Sequence, residues 1–204
     1  IGTNSSSTFA GGGGFSGEAR GAHGNTSPTY STTVDFKNSL FQGNKVRLEN
    51  SSGYSANAYG GGAAMFGNLN ATFEKTSFVN NSVTVTGYGN AYGGAVYTER
   101  GVTISGGVLS GNSATAGAGG AYGGAVYTGS SLTIKDGSLQ NNSVTSNSGQ
   151  AHGGAVFMDA SVNTGAINLN LEAAAKDFII SGNTANGKSS GIYIGNHQGS
   201  TSTS

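Results

Sequence analysis

The sequence contains no cysteine, no tryptophan and one proline, and its charged side chains are nine basic and nine acidic residues among 204. The absence of cysteine excludes disulfide bonds and thiolate metal sites as sources of stability. No apolar run approaches the roughly 20 residues of a membrane-spanning helix, so we expect no membrane insertion by this chain. The charges balance and form no basic run, which gives no electrostatic reason to expect a nucleic-acid partner.

Glycine is abundant, with 38 residues, and the sequence repeats itself. Ala91-Tyr-Gly-Gly-Ala-Val-Tyr-Thr98 returns as the segment 121–128, and Val102-Thr-Ile104 returns as Leu132-Thr-Ile134. Each segment returns thirty residues later, and a fixed period of this length is typical of a solenoid. Low charge and many polar residues are compatible with disorder, but apolar residues that recur in register favour an ordered fold.

Five copies of a template can be laid on the chain, and each copy has three parts. The first is Ala, then an aromatic residue or His, then Gly, and it begins at Ala22, Ala58, Ala91, Ala121 and Ala151. The second is a pair of apolar residues two apart, such as Val102 and Ile104. The third is an apolar residue three before an Asn, such as Leu109 before Asn112. Alternation with a period of two predicts strands with one buried face.

Three short strands per copy, with no helical period between them, predict an all-β fold: a right-handed parallel β-helix of about five to six coils. Coils about 4.8 Å apart would stack equivalent residues into ladders. We expect the Gly pair to form a tight corner, and the Asn column to adopt the left-handed conformation and to bond to the Asn above and below. The polar segment after each Asn, such as residues 143–149, is expected to be a loop.

The expected organisation has three parts. Residues 1–21 are a flexible Gly/Ser-rich lead-in or an irregular first coil, residues 22–196 are the β-helix, and residues 197–204 are a polar tail. The last copy carries about eleven extra residues, and Glu172-Ala-Ala-Ala-Lys176 within them favours a helical turn. Gly191-Ile-Tyr-Ile194 is expected to begin a further coil, and the chain has the character of a fragment of a longer protein.

The pairing of Gly-Gly-Ala-Val with Phe-x-x-Asn resembles the repeated tetrapeptides of the chlamydial polymorphic membrane proteins. The first motif is intact at 93–96, 123–126 and 153–156, with a variant at 61–64, and the second is intact at 41–44 and 78–81. Leu or Ile replaces Phe elsewhere, and the resemblance covers about residues 22–196. It implies an autotransporter passenger on the bacterial cell surface or secreted, anchored by a barrel outside this sequence. It also implies an adhesin that attaches to a host-cell receptor, protein or glycan, through these motifs.

The candidate adhesion residues are the members of the two motifs, and they also have a structural interpretation as the corner and core strand of any β-helix. The two interpretations can coexist. The residues are Phe41, Asn44, Gly61, Gly62, Ala63, Phe78, Asn81, Gly93, Gly94, Ala95, Val96, Asn112, Gly123, Gly124, Ala125, Val126, Asn142, Gly153, Gly154, Ala155, Val156 and Asn183.

Two other functions stay open: a β-helix lyase or hydrolase that acts on glycans, and a purely structural stalk. Such enzymes gather several carboxylates on adjacent coils, whereas Glu99 and Asp159 share a column but lie two coils apart, so we expect no enzyme. His23 and His152 occupy the Tyr position of the repeat and are interpreted as aromatic substitutes. We expect no cofactor and no metal. Exposed strand edges at the ends predict a homo-oligomer formed through coil edges.

Overall fold

The computed structural model describes residues 8–19, 32–50, 55–161, 167–172 and 178–196, and every regular element in these ranges is a β-strand. Each turn of the chain contains five short strands. The first turn has β1 (Thr8–Gly11), β2 (Phe15–Ala19), β3 (Thr32–Lys37), β4 (Leu40–Gln42) and β5 (Lys45–Asn50). The second has β6 (Ala56–Tyr59), β7 (Ala63–Gly67), β8 (Leu69–Glu74), β9 (Ser77–Val79) and β10 (Ser82–Gly87). The third has β11 (Ala91–Tyr92), β12 (Val96–Thr98), β13 (Val102–Ser105), β14 (Val108–Ser110) and β15 (Ser113–Ala116).

The later turns repeat this order with one change at the end. The fourth turn has β16 (Ala121–Tyr122), β17 (Val126–Thr128), β18 (Leu132–Lys135), β19 (Ser138–Gln140) and β20 (Ser143–Ser146). The fifth has β21 (Ala151–His152), β22 (Val156–Asp159), β23 (Leu169–Glu172), β24 (Ile179–Ser181) and β25 (Thr184–Ala185). Two further strands, β26 (Lys188–Ser189) and β27 (Ile192–Gly195), follow.

Equivalent strands of successive turns pair in parallel and build five sheets, which we name A to E. Sheet A contains β1, β6, β11, β16 and β21; sheet B contains β2, β7, β12, β17, β22 and β27; sheet C contains β3, β8, β13, β18 and β23; sheet D contains β4, β9, β14, β19 and β24; sheet E contains β5, β10, β15, β20, β25 and β26. The registers align the repeats, because Ala91 pairs with Ala121 and Leu109 with Leu139. The predicted parallel β-helix is confirmed, and its right-handed sense stays a prediction.

The prediction of three strands per coil is wrong, because each turn has five. One missed strand is in sheet A, where only two residues pair in most turns before the Gly pair bends the chain. The other is in sheet E: residues 143–146, expected to be loop, form β20 with Val144 buried and Thr145 exposed. Strands of two to four residues are too short to show a period, and Ser and Thr on their outer face make the segment resemble a turn.

The first turn begins earlier than the sequence predicts. Ala10 pairs with Ala58, so Ala10 takes the column position that was assigned to Ala22. Gly12 has a φ of 68° and Gly60 a φ of 55°, which places the same bend after each alanine. Residues 8–19 therefore form the first strands of sheets A and B. Ala22 and His23 lie outside the described residues.

Two apolar cores run along the axis. Sheets B, C and D enclose the larger one, which is filled by side chains such as Phe73, Phe78 and Leu132. Sheets A and E enclose the smaller one, which contains only Ala and Val among its fully buried members, for example Val83. Each large side chain that leaves water contributes about 1.5–3 kcal/mol. In sheets C, D and E of the middle turns, outward residues alternate with buried core residues, as in β13, β18, β19 and β15.

The last turn carries the extra residues in two places, before and after β23. Glu172, expected in a helical turn, ends β23 and forms an ion pair with Lys135 at 3.2 Å, while residues 173–177 lie outside the described ranges. Beyond them, β25 and β26 pair antiparallel through Asn186 and Gly187, whose φ values of 45° and 74° are typical of a type I′ hairpin. The further strand expected at 191–194 is confirmed as β27 in sheet B.

Candidate functional site

The Gly-Gly-Ala-Val motif forms the bend between sheets A and B, and its two glycines have different roles. The first has a positive φ, 63° at Gly93 and 67° at Gly123, which L side chains rarely adopt. The second sits where backbones meet. A Cβ at Gly94 would lie 2.1 Å from the carbonyl oxygen of Gly124 in the next turn and 2.5 Å from that of Ser113 across the coil. Because the backbones at Gly94 and Ser113 approach each other closely, the coil is narrow at this point, and the narrow region lies between the larger core and the smaller one.

The Asn of Phe-x-x-Asn forms a ladder inside the coil. Asn112 donates from Nδ2 to Asn142 Oδ1 and to the Phe78 carbonyl, both at 2.9 Å, and its backbone N–H donates to the same Asn142 Oδ1 at 3.0 Å. The same side-chain bond links each Asn of the column to the next, from Asn44 to Asn183. The predicted bonding between Asn residues of neighbouring coils is confirmed.

The left-handed conformation belongs to the residue before the ladder Asn, so its assignment to the Asn column is wrong. Asn80 and Asn141 have φ values of 55° and 54°, and Gly43, Gly111 and Gly182 have values between 64° and 66°. Each of these residues directly precedes a ladder Asn. Gly or Asn therefore precedes each ladder Asn, and both residue types adopt the left-handed conformation at low cost.

The motif residues lie in the interior of the coil. Of the 22 candidate adhesion residues, 20 are buried, and the other two, Phe41 and Asn44, are partly buried in the first turn. Ala95, Val96 and Asn112 each have an exposed fraction of 0%. The structure brings the motifs together as corner, core and ladder, and it leaves their side chains almost no surface through which to touch a ligand.

An external aromatic cluster packs in the bend between sheets A and B. Tyr92 and Tyr97 flank the Gly pair and point outward, because their neighbours Ala91 and Val96 point into the cores. Rings stack along the axis, with centroids 5.1 Å apart for Tyr97 and Tyr127, and they also meet across the bend. The column that contains Tyr97, Tyr127 and Phe157 was missed, although an aromatic residue follows each intact motif. His152 pairs in register with Tyr122, as its aromatic interpretation requires.

Two carboxylates hold the edge of this cluster. Burial raises the pKa of Tyr127 above its ordinary value, and its hydroxyl donates to Asp159, which also accepts a bond from the Ser161 backbone N–H at 2.8 Å. Glu99 accepts from the Gly67 N–H at 2.8 Å and from the Tyr97 hydroxyl at 3.4 Å. Two turns separate Glu99 from Asp159 along one column. Both carboxylates are therefore hydrogen-bond acceptors that cap the stacked tyrosines.

The accessible surface with the most regular chemistry is the outer face of sheet E. Each ladder Asn from the second turn onward is followed by an outward Ser or Thr, and the next outward position is Thr in three turns. Strand pairing aligns these hydroxyl residues in two columns, which we call the hydroxyl face: Ser82, Ser113, Ser143 and Thr184 in one, and Thr84, Thr115 and Thr145 in the other.

The hydroxyl face is uncharged and regular. β10, β15, β20 and β25 carry no ionisable side chain, and the strands repeat about every 4.8 Å with outward residues about 6.6 Å apart along each strand. Its residues are partly or fully accessible, with Thr145 exposed. The Ser-x-Thr pattern after Asn81, Asn112 and Asn142 was visible in the sequence, but it was interpreted as loop and so the face was missed.

Sheet C offers a second accessible face with a different character. Thr72, Thr103 and Thr133 align in one outward column. The neighbouring column carries Lys and Glu in four turns and Ser105 in the third, and Lys37 and Glu74 form an ion pair at 3.1 Å. The side chains of Lys37 and Glu74 are 64% and 44% exposed, so this ion pair contributes little to stability. The column of threonines is a natural control surface for the hydroxyl face.

Comparison with known protein-family models, curated proteins and solved structures finds no match for this chain. Within the described ranges, no helix has the length and apolar character needed to cross a membrane. The same ranges contain no cluster of three or more His, Asp or Glu side chains that could hold a metal ion.

Proposed function

We propose that this chain is part of a bacterial surface adhesin, displayed on the cell or secreted, which attaches to a host-cell receptor through the hydroxyl face of sheet E. The two repeated motifs act indirectly in this proposal, because they build and align the coil. Attachment is spread along the axis, and equivalent weak contacts on successive turns add up through avidity.

The observation that carries the proposal is the contrast between the buried motifs and the accessible face beside them. Residues such as Val126 and Asn142 are fully buried, so a ligand meets the strands that they position. The ladder Asn is followed at once by the outward residue of sheet E, as Asn112 is by Ser113. A motif that fixes the register of the coil thereby fixes the spacing of the hydroxyl columns.

The resemblance of the repeats to those of chlamydial polymorphic membrane proteins supports the surface location and the adhesive role. The resemblance rests on two short motifs in fixed order. The proposal adds that the motifs build the coil, whereas the outward residues of sheet E contact the receptor. A receptor of protein or glycan type is compatible with an uncharged face. A stalk that only holds another domain away from the cell is the competing function, and the experiment below separates the two.

The test is binding of the purified chain to cultured host cells after a single bulky substitution in the middle of the face. Thr115→Arg places a long cation among hydroxyls, and we expect it to reduce the amount of bound protein several-fold. Thr103→Arg is the matched control, since Thr103 is an outward Thr of the same turn on sheet C. We expect it to bind like the original chain.

Both variants must keep the β-sheet circular dichroism of the original protein before their binding is compared. If Thr115→Arg and Thr103→Arg bind equally well, sheet E is not the attachment face. If the original chain does not bind to cells, the stalk function replaces adhesion.

A further inference from the structure

The outer face of sheet D is apolar in every second turn. Its first outward column has an aliphatic residue in the first, third and fifth turns and Ser in the second and fourth: Leu40, Ser77, Val108, Ser138 and Ile179. Leu40, Val108 and Ile179 are 61%, 38% and 44% exposed. The five strands of this sheet carry no ionisable side chain. Exposed aliphatic residues that lie along one face indicate a contact surface for protein.

This column is symmetric about Val108. A two-fold axis parallel to β14 and just outside it would place a second copy against sheet D with its solenoid axis reversed. The first turn of one copy would then face the fifth turn of the other, and the second turn would face the fourth. Val108 would meet Val108, Ser77 would meet Ser138, and Leu40 would meet Ile179. Such self-complementarity is what an isologous dimer requires.

The charged side chains beside sheet D follow the same symmetry with opposite sign. The last outward residue of each sheet C strand is, in turn order, Lys37, Glu74, Ser105, Lys135 and Glu172. When the order is reversed about the third turn, each Lys faces a Glu and the Ser faces itself. Complementary charge across an interface favours association and fixes its register.

The next column, at the bend between sheets C and D, repeats this rule. Lys75 and Asp136 directly follow Glu74 and Lys135, and both have the left-handed conformation, with φ values of 48° and 58°. Gly106 takes the same position in the third turn, with a φ of 72°. The reversed second copy would therefore bring its Asp136 opposite Lys75, and its Lys75 opposite Asp136.

We infer that two copies of this chain associate side by side through the outer face of sheet D and the adjacent charged edge of sheet C, with antiparallel solenoid axes and Val108 on the two-fold axis. Five turns about 4.8 Å apart and six residues across give a contact of roughly 400 Å² on each copy. A stable complex buries about 800 Å² on each partner, so this dimer is weak. The inference does not depend on attachment to host cells.

The test is the average mass of the whole chain in sedimentation equilibrium, from about 10 μM to about 1 mM, the range in which a weak dimer becomes populated. We expect dimers to form as the concentration rises. Val108→Lys places two cations against each other on the two-fold axis and should raise the dissociation constant at least about tenfold. Ala118→Lys is the matched control, because Ala118 is an exposed residue of the same turn between sheets E and A. It should dimerise like the original chain.

A charge exchange tests the antiparallel direction. Lys75→Asp and Asp136→Lys each place like charges opposite each other twice in the dimer, and each should weaken it about three- to tenfold. An equimolar mixture of the two variants restores opposite charges at both contacts and should dimerise like the original chain. All variants must first show the β-sheet circular dichroism of the original protein.

Three results would overturn the inference. They are an original chain that stays monomeric at the highest concentration, a Val108→Lys variant that dimerises as well as the original, and a mixture of the charge variants no heavier than its components. If Ile180→Lys abolishes association and Val108→Lys does not, the coil ends form the contact and the face of sheet D does not.

Discussion

Removal of one rung from the Asn ladder gives the most quantitative test of how the coil is held together. Asn112→Ala deletes two donated bonds, to Phe78 O and Asn142 Oδ1, and two accepted bonds, from the backbone N–H and the Nδ2 of Asn81. Asn81 Nδ2 keeps its bond to Phe41 O at 2.9 Å. The buried N–H of Asn81 loses its acceptor.

The size of the effect follows from these losses. A buried donor left without a partner costs about 1–3 kcal/mol, and an ordinary hydrogen bond contributes about 0.5–1.5 kcal/mol. The unsatisfied N–H of Asn81 and the lost side-chain hydrogen bonds of Asn112 together give an expected decrease in the free energy of unfolding of about 2–5 kcal/mol. That is a large share of the roughly 5–15 kcal/mol that holds a typical domain folded.

The assay is urea unfolding followed by circular dichroism, with Asn44→Ala as the control. Asn44 is partly exposed, and its side chain donates to Asn81 Oδ1, which also accepts the Asn44 N–H at 3.1 Å. Its loss should cost less than about 1 kcal/mol, because water can replace the bond. If Asn112→Ala and the original chain have the same urea midpoint and the same dependence of the unfolding free energy on urea concentration, the ladder does not stabilise the coil in the way described.

Three further outcomes are expected. Gly94→Ala should destabilise the fold by more than about 3 kcal/mol because its Cβ meets backbone on two sides, whereas Gly43→Ala, with φ 66° and nothing within 4 Å, should cost about 1–2 kcal/mol; urea midpoints decide. Burial raises the pKa of Tyr127 above 10.0, so its stabilising effect is complete below pH 10 and is lost as pH rises through the folded-state pKa. The urea midpoint should therefore decrease as the pH rises above 10, and it should decrease less steeply in Tyr127→Phe. If the midpoints of the two proteins decrease equally with pH, the reasoning is wrong. Ile179 and Ile180, 44% and 37% exposed at the C-terminal end, should promote self-association that Ile180→Lys reduces in light scattering; a monomer at high concentration would count against it.

The sequence predicts those parts of the fold that its repeat makes periodic. Residues at equal positions in the repeat, such as Val102 and Leu132, pair as expected, because a solenoid places each repeat directly on the next. The ladder of Asn residues follows from the same logic. Composition alone does not predict it, since a polar side chain is stable inside the coil only where each rung satisfies its neighbours.

The errors arise where a signal is short or depends on contacts between distant residues. The four residues of β20 are too few to show a period, and their Ser and Thr resemble turn residues. The sequence did not reveal Ala10 as the start of the first turn, because Gly11 stands where the later turns have Tyr or His, as its pairing with Tyr59 shows. The role of Gly94 depends on Ser113 across the coil, and no local pattern contains that information.

The candidate site was the least predictable feature. The motifs were the strongest repeated signal, and a repeated signal suits both a binding residue and a buried one. Burial separates the two interpretations: Val126 has an exposed fraction of 0%, whereas Thr145 is exposed. The outward residues of sheet E repeat as faithfully as the motifs, but Ser and Thr are so common in this chain that their recurrence does not stand out.

The measurement that tests the central claim most directly is cell binding by Val126→Ala, expressed per folded molecule. Val126 is a buried motif residue, and its column already contains Ala63 in the second turn, so alanine can be accommodated there. If the motifs act from inside the coil, folded Val126→Ala binds to host cells as well as the original chain, while Thr115→Arg binds several-fold less. A folded Val126→Ala protein that no longer binds would contradict the account, because it would make the motif itself the contact with the receptor.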